Sequence, residues 1–521
     1  MTSNYLLHQA IKRNAQATPN NVAVRFAKEH LTYLQLYQKS NQLAHCLIAN
    51  GVRRGDRVGI FMFKNIYSAV AIYGILSAGC AYVPLDPFAP LERQEHVIAN
   101  CDIRILVSHD RKTADVQALA KRVSLSAVIG LSEPLPGSTT TSWPEVFKRS
   151  TQEIQIHLTE QDLAYILYTS GSTGLPKGIV HTHRSGLSFA TWAQETYQLT
   201  SNDRISNHAP LHFDLSTFDF FASALAGAAT CIVPEAVTKF PVSMAKWIQD
   251  EKITVWYSVP YALIQMLQRA KLSQDSFSNL RWILFAGEPF PTKHLRELMH
   301  LLPCIRFSNL YGPTETNVCT FYHVPNLADD SDEPIPIGIA CDNVEDLVVD
   351  IDLHPVLPGE SGELLIRGGV VMKGYWGAPE LTSKGFFDRP VNDQFFDRFY
   401  RTGDLVQKRE DGNYRFLGRK DRQVKTRGYR VELDEIENAL LALDDVQEAA
   451  VYPVTDGEGS NLIKAAIIPK LENNLTEDVL FSELRRILPP YAIPVEIEIR
   501  SEFPRTSTGK IDRRALQIVN K

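Results

Sequence analysis

Residues 168–178 read Tyr-Thr-Ser-Gly-Ser-Thr-Gly-Leu-Pro-Lys-Gly and follow a strand-like run at 163–167. Glycines and small hydroxyl residues let backbone N–H groups approach a polyphosphate closely, and a lysine adds a cationic contact. A Walker A loop has Ser or Thr directly after its Gly-Lys pair, whereas Lys177 lies between Pro176 and Gly178. The stretch therefore predicts a phosphate-binding loop of another kind, with a flexible Gly/Ser turn as the alternative.

Length and composition exclude several classes of protein. The chain has 521 residues, of which 44% are hydrophobic and 22% charged, and a formal net charge of -6. The length predicts about three domains or subdomains, and the composition is that of a globular protein in water. The negative charge provides no general attraction to nucleic acid or to anionic membranes.

Cysteine usage and the N-terminus indicate where the protein works. The seven cysteines are scattered and form no Cys-x-x-Cys pair, which favours reduced thiols in a cytoplasmic protein over a disulfide framework or a zinc site. The N-terminus shows no secretory signal, and glycine and proline interrupt the longest apolar run, 68–85. We therefore expect neither secretion nor a membrane span.

Strand-like and helical patterns alternate over the first 400 residues or so. Strand patterns at 56–63, 81–85 and 104–108 surround a helical pattern at 67–76. Such alternation predicts βαβ units, and hence an α/β fold with mainly parallel sheets flanked by helices.

The pattern changes near Gly418, where basic residues crowd one stretch: Arg415, Arg419, Lys420, Arg422, Lys425, Arg427 and Arg430. Helical patterns follow at 434–443 and 477–488, with strand patterns at 449–453, 462–469 and 496–499. We expect a large domain at 1–418 and a small α+β domain at 419–521. The basic cluster lacks interleaved aromatic residues, which disfavours nucleic-acid binding. A hinge that also contacts an anionic ligand is favoured.

Further motifs share the phosphate loop's mixture of turns, carboxylates and cations. They are Asn309-Leu-Tyr-Gly-Pro-Thr-Glu-Thr316, the turn-ending strand 362–368, Tyr400-Arg-Thr-Gly-Asp404, the basic run 418–428 that leads into 432–437, and Pro504-Arg-Thr-Ser-Thr-Gly-Lys510. In order and spacing they resemble the core motifs of the adenylate-forming (ANL) superfamily, most closely the amino-acid adenylation domains of nonribosomal peptide synthetases. The resemblance extends from about residue 10 to residue 516. It implies a large N-terminal domain and a small, mobile C-terminal domain.

The resemblance implies ATP-dependent activation of a carboxylic acid, with Mg²⁺ as cofactor. Two anions meet when a carboxylate attacks the α-phosphorus, so catalysis requires positioning and electrostatic stabilisation. By resemblance, the phosphate ligands are Thr169, Ser170, Gly171, Ser172, Thr173 and Lys177. Adenine would contact Tyr311, Asn309 and Gly287, and the ribose would contact Asp404 and Arg419. Thr314 would contact the α-phosphate, Glu315 would hold Mg²⁺, Lys510 would bridge the transition state, and Asp421 would be the hinge.

Asp214, in the run Leu211-His-Phe-Asp, indicates which acid is activated. In amino-acid adenylation domains an Asp at this position pairs with the α-ammonium group, whereas a fatty or aryl acid would leave the carboxylate unpaired. The alternative is that Asp214 caps a helix before Phe218. The resemblance places the other pocket residues at Leu215, Phe218, Tyr257, Leu284, Ala286, Leu310, Val318, Cys319 and Lys510. This set resembles that of proline-activating domains, with pipecolate, valine or another small apolar amino acid as alternatives.

The sequence does not support a metal site or a cysteine nucleophile among the remaining candidate residues. His208 and His212 have the spacing of a metal pair but no nearby third ligand, so we expect His212 to line the acyl site. Cys319 has no evident base partner, which disfavours a nucleophilic role. A catalytically dead nucleotide-binding protein is a rival hypothesis, as is an acyl- or aryl-CoA ligase. The motifs retain their ionisable residues, which favours an active enzyme over a dead one: Lys177, Glu315, Asp404 and Lys510.

The acyl acceptor is expected to be a separate molecule. The sequence contains no Gly-Gly-x-Ser segment of the kind that carries a phosphopantetheine arm, so we expect a carrier protein in trans. By resemblance, the small domain would swing about Asp421 after adenylation. This motion would withdraw Lys510 and bring Gly428 toward the incoming thiol, and Arg427 would contact an acidic carrier protein.

Overall fold

The structure is a computed structural model that describes residues 4–171, 175–456, 460–470, 475–505 and 511–518. Its strands are β1 (Val22–Phe26), β2 (Glu29–Thr32), β3 (Arg57–Phe61), β4 (Ala81–Pro84), β5 (Ile105–Ser108), β6 (Ala127–Ile129), β7 (Thr139–Thr141), β8 (Leu163–Thr169), β9 (Lys177–Thr182), β10 (Arg204–Asn207), β11 (Ala229–Ile232), β12 (Val255–Ser258), β13 (Trp282–Ala286), β14 (Arg306–Tyr311), β15 (Thr320–Val324), β16 (Ile339–Ala340), β17 (Val344–Val349), β18 (Ser361–Gly368), β19 (Gly374–Tyr375), β20 (Phe386–Pro390), β21 (Phe396–Lys408), β22 (Tyr414–Arg419), β23 (Gln423–Thr426), β24 (Tyr429–Glu432), β25 (Val446–Thr455), β26 (Asn461–Pro469) and β27 (Glu496–Ile499).

The helices lie mainly between these strands. They are α1 (Gln9–Ala17), α2 (Tyr33–Ala49), α3 (Ile66–Ser77), α4 (Leu91–Asn100), α5 (Thr113–Ala120), α6 (Trp143–Val146), α7 (His183–Thr196), α8 (Leu215–Thr217), α9 (Ser223–Ala226), α10 (Glu235–Thr238), α11 (Pro241–Asp250), α12 (Pro260–Arg269), α13 (Thr292–Leu301), α14 (Pro379–Lys384), α15 (Leu433–Leu441), α16 (Glu477–Ile487) and α17 (Arg513–Ile518). No helix in the described ranges is both long enough and apolar enough to cross a membrane.

Two large sheets form the centre of the fold. One has nine strands in the order β16-β15-β14-β13-β12-β10-β11-β1-β2, and the other has eight in the order β19-β9-β8-β4-β3-β5-β6-β7. Their central strands pair in parallel, and antiparallel pairs lie toward the ends, as in β14 with β15 and β8 with β9. The predicted α/β class is therefore confirmed.

A five-stranded antiparallel sheet, β17-β18-β21-β20 with β22 on β21, was not predicted as a separate unit. No helix lies between β17 and β18 or between β20 and β21. Short connections of this kind favour antiparallel neighbours, whereas parallel pairing needs a long crossover.

Helix α3 shows how the local sequence fixes the packing. Asn65 caps its first turn by accepting a hydrogen bond from the backbone N–H of Tyr67, and ten of its residues are buried. A helix that is apolar on all sides belongs in the interior. It packs against α2, where a Cβ on Gly74 would lie 2.7 Å from Leu43, so glycine permits this close approach.

The residues after β22 form the hairpin β23-β24 and a three-stranded sheet, β25-β26-β27, with α15 and α16 packed against it. This part of the chain is joined to the large sheets by specific contacts. Arg93 on α4 pairs with Glu435 at 2.6 Å, and Gly428 N–H donates to Glu288 at 3.2 Å. The hairpin β23-β24 therefore lies against the segment that follows the carboxyl end of β13 in the nine-stranded sheet.

Candidate active site

A cavity lies between the carboxyl ends of several strands and the hairpin β23-β24. Its walls include residues at or just after the ends of β8, β13 and β14, together with hairpin residues. Loops at the carboxyl ends of parallel strands are where α/β folds form binding sites. The predicted site residues that line it are Thr169, Ser170, Asp214, Leu215, Tyr257, Ala286, Gly287, Thr314, Val318, Asp404 and Arg419.

Of the predicted phosphate-loop residues that the structure describes, Thr169 and Ser170 line this cavity, whereas Gly171 and Lys177 do not. The buried Oγ1 of Thr169 has no hydrogen-bond partner among the described residues. A Cβ on Gly171 would lie 2.2 Å from the carbonyl oxygen of Leu175, so only glycine fits there. Ser170 Oγ donates to the carbonyl of Arg430 at 2.8 Å. Ser172, Thr173 and Lys510 lie outside the described residues.

Glu315 is the charged centre of the site and has no exposed surface. Its carboxylate lies 3.2 Å from the ammonium of Lys177 and 2.5 Å from the guanidinium of Arg430, and Tyr375 Oη donates to it at 2.8 Å. Burial opposes ionisation, but the two cations outweigh it and hold the pKa of Glu315 well below its usual range. The carboxylate is therefore kept charged in a buried place.

Asp404 and Arg419 also line the cavity. The Asp404 carboxylate accepts hydrogen bonds from the hydroxyl of Tyr311 and, at 2.6 Å, from the guanidinium of Arg419. Arg419 also holds Asp421 at 2.7 Å. The side-chain amide of Asn309 donates to the carbonyl of Pro336 at 2.8 Å, which leaves its own oxygen as an acceptor. Tyr311, Asp404 and Arg419 thus form one hydrogen-bonded group, and Asn309 is held separately by Pro336.

Gly287, next to Ala286 in the cavity wall, has φ of +100°, a conformation that glycine adopts without strain. It lies against Gly428 of the hairpin, whose Cα would be 3.8 Å from a Cβ added at Gly287. The two glycines allow the two backbones to approach closely.

Asp214 precedes the short helix α8 but its side chain makes no capping hydrogen bond, so the helix-cap alternative has no support. Burial raises the pKa of Asp214, and the hydroxyl of Thr314 and the ammonium of Lys425 oppose this shift. Leu215, Tyr257, Ala286 and Val318 provide uncharged walls beside it. The other predicted pocket residues are buried in the core and do not line the cavity: Phe218, Leu284, Leu310 and Cys319.

Phe218 contacts the cavity wall indirectly, because its ring meets that of Tyr257 edge-on at 5.3 Å. Burial raises the pKa of the Cys319 thiol to about 12. A thiol with such a pKa is protonated at neutral pH, which agrees with the expectation that Cys319 is not a nucleophile.

Two cations in the site were not identified individually by the sequence analysis. Lys425 and Arg430 belong to the basic cluster and line the cavity from the hairpin side. Burial lowers the pKa of Lys425, and the carboxylate of Asp404 opposes the shift. Lys425 lies in β23 and Arg430 in β24. The sequence signal for both was the basic cluster itself, which we expected to contact an anionic ligand.

Lys64 was missed entirely. Its buried ammonium donates to the carbonyls of Asn207, His208 and Ala209, at 2.9, 2.8 and 3.3 Å. These carbonyls belong to the start of the segment that leads to Asp214. The hydrogen bonds from Lys64 therefore hold the backbone of that segment in place. The sequence signal for a buried lysine was its position between an apolar strand and an apolar helix.

A second cavity adjoins the first and is lined by both parts of the chain, for example by Phe88 and Lys239 on one side and Val495 on the other. His212, Tyr429 and Tyr491 line both cavities. The rings of Tyr429 and Tyr491 stack with centroids 4.0 Å apart. This aromatic pair stands where the two cavities meet.

Comparison with known proteins gives matches over nearly the whole chain. Residues 11–376 match the family described as AMP-binding enzyme, and residues 435–510 match the AMP-binding enzyme C-terminal domain. A ligase of Pseudomonas fluorescens named L-proline--[L-prolyl-carrier protein] ligase is 35% identical over 98% of this chain and 98% of its own length. A ligase of the same name from Streptomyces coelicolor is 37% identical over 93% of this chain and 91% of its own.

Solved structures share the fold. An adenylation domain of Vibrio cholerae, crystallised with glycyl-adenosine-5'-phosphate, superimposes with a TM-score of 0.86 over 100% of this chain and 99% of its own, at 24% identity. An amide bond synthetase of Marinactinospora thermotolerans reaches a TM-score of 0.85 at 23% identity, over 99% of each chain. At these identities the likeness establishes the fold alone.

Proposed function

The chain belongs to the AMP-binding enzyme family, and from this premise we propose that it activates L-proline with ATP and transfers the prolyl group to a carrier protein. The observation that carries the proposal is the buried carboxylate of Asp214, which shares its cavity with the uncharged side chains of Leu215, Tyr257, Ala286 and Val318 and with phosphate-loop residues. Such a carboxylate requires a cationic partner, which the ammonium group of an amino acid provides. The names of the two full-length relatives support proline as that amino acid.

The reaction has two steps. A carboxylate oxygen of proline attacks the α-phosphorus of ATP, and pyrophosphate leaves. The thiol of a phosphopantetheine arm then attacks the carbonyl carbon of prolyl-AMP, and AMP leaves. Asp214 would orient proline for both steps, and Lys510 would stabilise the charge that develops in the first.

The nucleotide ligands proposed from the sequence are compatible with the geometry. Thr169 offers a buried hydroxyl that has no hydrogen-bond partner in the described part of the chain, and it lies two residues before Gly171. Asp404 retains lone pairs for a ribose diol even while it accepts bonds from Tyr311 and Arg419. Thr314 lines the same cavity.

Mg²⁺ fits the site because Glu315 is an ionised, buried carboxylate, and carboxylate oxygens are the ligands that this cation prefers. When bound it would help to neutralise charge on the phosphoryl oxygens. Arg430 now occupies the carboxylate, so we infer that the structure represents the arrangement used for the second step. A division into 1–418 and 419–521, with a hinge at Asp421, accounts for such a rearrangement.

Pipecolate, valine or another small apolar amino acid would satisfy the same cavity. An acyl- or aryl-CoA ligase is disfavoured, because its substrate would leave Asp214 without a partner. We further propose that the protein works in the cytoplasm, since six of its seven free cysteines are buried and none is paired.

The test is pyrophosphate exchange into ATP with each of the twenty amino acids, with pipecolate, and with one fatty and one aryl acid. We expect the highest kcat/KM with L-proline and exchange that depends on added Mg²⁺. Exchange with a fatty or aryl acid but with no amino acid would refute the proposal. A higher kcat/KM for another amino acid would correct the substrate and leave the reaction type intact.

A further inference from the structure

His212 stands where the two cavities meet. Its side chain is 10% exposed and lines both the cavity that contains Asp214 and the second cavity between the two parts of the chain. Its buried Nε2 atom has no hydrogen-bond partner within the described ranges. Because a buried nitrogen without a partner is costly, the imidazole is expected to have a ligand at some stage of the reaction.

Asp86 is the acidic neighbour of this imidazole. Its Oδ2 atom lies 3.8 Å from His212 Nε2, too far for a hydrogen bond but close enough for attraction once the imidazole is charged. Its other oxygen accepts a hydrogen bond from the backbone N–H of Phe88 at 2.9 Å, which fixes the carboxylate in place.

Burial lowers the pKa of His212, the carboxylates of Asp86 and Glu235 raise it, and Arg93 and Lys64 lower it. Both of these cations already have partners: Arg93 pairs with Glu435, and Lys64 donates to three carbonyls. The remaining groups that line both cavities beside His212 are the aromatic side chains of Tyr429 and Tyr491. The imidazole is thus neutral at rest and has acidic neighbours when it takes a proton.

We propose that His212 is the general base of the second step and accepts the proton of the attacking thiol at Nε2. The inference rests on the proposed function, because it requires an acyl-adenylate and a thiol acceptor. A thiol with a pKa of about 8.5 is mostly protonated at pH 7, so a nearby base increases its reactivity. The second cavity is the route by which a thiol would reach His212 and then the acyl group.

The step balances as follows. The thiol S–H bond breaks as the proton moves to His212 Nε2, and the sulfur forms a bond to the acyl carbonyl carbon. The bond from that carbon to the phosphate oxygen of AMP breaks, and AMP leaves with the electron pair. The imidazolium is held beside Asp86 until its proton returns to solvent.

The experiment compares two acceptors with ATP and L-proline: free pantetheine, whose thiol must be deprotonated, and hydroxylamine, which is an uncharged nucleophile at neutral pH. In His212→Gln we expect thioester formation at pH 7 to fall by about 10²-fold, the usual size of a general-base effect. Hydroxamate formation should fall by at most about threefold, since it reports substrate binding and adenylation.

The pH profile is the second readout. Wild-type thioester formation should change little between about pH 6.5 and 8, because the base is already neutral. The variant should instead gain about tenfold per pH unit up to the pKa of the thiol. His183→Gln is the matched control: His183 is a buried imidazole that accepts from Leu7 N–H and lines neither cavity.

Equal losses with both acceptors, or a variant profile as flat as that of the wild type, would refute the role of His212. Absence of proline-dependent pyrophosphate exchange in the wild type would refute the proposed function instead. The two failures are therefore distinguishable.

Discussion

The guanidinium of Arg430 lies 2.5 Å from the carboxylate of Glu315, which is fully buried and is also held by Lys177 at 3.2 Å. The proposed Mg²⁺ ligand is thus occupied by an arginine of the small C-terminal part. Under the proposed function, Arg430 and Mg²⁺ would compete for this carboxylate. The ion pair would then link the arrangement of the two parts of the chain to the presence of the metal.

Arg430→Met should separate the two steps. Removing one partner of a buried ion pair lowers the free energy of unfolding by about 3–5 kcal/mol. The loss should be smaller here, because Lys177 still pairs with Glu315. In the proposed two-arrangement mechanism this pair belongs to the arrangement used for the second step, so we expect thioester formation to fall by about tenfold or more. Pyrophosphate exchange should fall less. Lys420→Met, which removes a more exposed pair with Glu363 at 3.0 Å, is the control. Equal loss of both steps in Arg430→Met would contradict the link.

Asp214→Asn should lower kcat/KM for proline by about 10–100-fold, because a charge-assisted hydrogen bond is replaced by a neutral one. Pyrophosphate exchange at varied proline concentration measures this kcat/KM. An unchanged value would mean that the ammonium group of proline binds elsewhere. The pKa of Asp214 is raised by burial, so the carboxylate is protonated at a higher pH than usual. The KM for proline should therefore rise as the pH falls through this raised pKa.

The same shift affects stability. Between the unfolded and the raised folded pKa the native state binds more protons, so the free energy of unfolding decreases as the pH rises through that window. Asp214→Asn removes the buried charge. We expect its Tm in the absence of ligand to exceed that of the wild type at pH 7 and the difference to disappear at low pH. A lower Tm at pH 7 would show that nearby cations such as Lys425 outweigh the cost of burying the Asp214 carboxylate.

The sequence predicted the periodic elements well. The helix expected at 67–76 is Ile66–Ser77, and the strand expected at 496–499 is Glu496–Ile499. Apolar periodicity and caps determine such elements locally. The antiparallel sheet built around β18 and β21 was not foreseen, because strand pairing depends on contacts between distant segments.

Site residues, like secondary structure, were easier to predict from local motifs than from contacts between distant segments. Motif residues that lie at strand ends, such as Thr169 and Asp404, line the cavity, and their roles as nucleotide ligands stay predictions. Four of the predicted pocket residues, among them Leu284 and Leu310, are buried beside it in the core, and their roles in substrate selection stay predictions as well. Lys64 acts through backbone carbonyls that no sequence motif reveals. Spacing along the chain indicates which residues are near a site, but side-chain direction decides which of them line it.

Lys510→Ala should abolish the first step while sparing the second. The residue lies outside the described residues, and the prediction rests on its motif. Loss of a charge that stabilises the transition state reduces kcat by about 10²–10³-fold or more. Proline-dependent exchange should show this loss, whereas thioester formation from supplied prolyl-AMP should remain largely intact. Lys470→Ala, on the same part of the chain, should change neither rate. Equal loss of both steps would contradict the two-arrangement mechanism.

Lys64 predicts a pH dependence of stability. Burial lowers its pKa to about 8, below the value of about 10.4 in an unfolded chain. Between these values the unfolded chain binds more protons, so this group makes the free energy of unfolding rise with pH, by at most about 1.4 kcal/mol per unit. The contribution is complete above the unfolded pKa and is lost as the pH falls through about 8.

Urea unfolding of the wild type and of Lys64→Met from pH 7 to 10.5 measures this contribution as a difference in slope. The variant should also be less stable at every pH, since three carbonyls lose their donor. Parallel pH profiles would show that the ammonium has an ordinary pKa in the native protein.

Gly428→Ala tests whether the arrangement seen here is needed for the second step. Gly428 has φ of +82°, and an added Cβ would lie 2.3 Å from a methyl group of Val259. The clash exists only while the hairpin lies over the large sheets, because Val259 precedes α12 in the other part of the chain. We expect thioester formation to fall by about 10²-fold, as for any change that misplaces reacting groups, with exchange much less affected.

Gly412→Ala is the matched control for backbone strain. Gly412 has φ of +84°, but open space surrounds the position of its Cβ. Both variants therefore carry the cost of a left-handed alanine, about 1–2 kcal/mol, and only Gly428→Ala adds the clash with Val259. If both variants lowered Tm alike and neither selectively slowed thioester formation, the hairpin contact would have no part in the second step. A selective loss in Gly428→Ala alone would assign that step to the arrangement in which Gly428 lies against Val259.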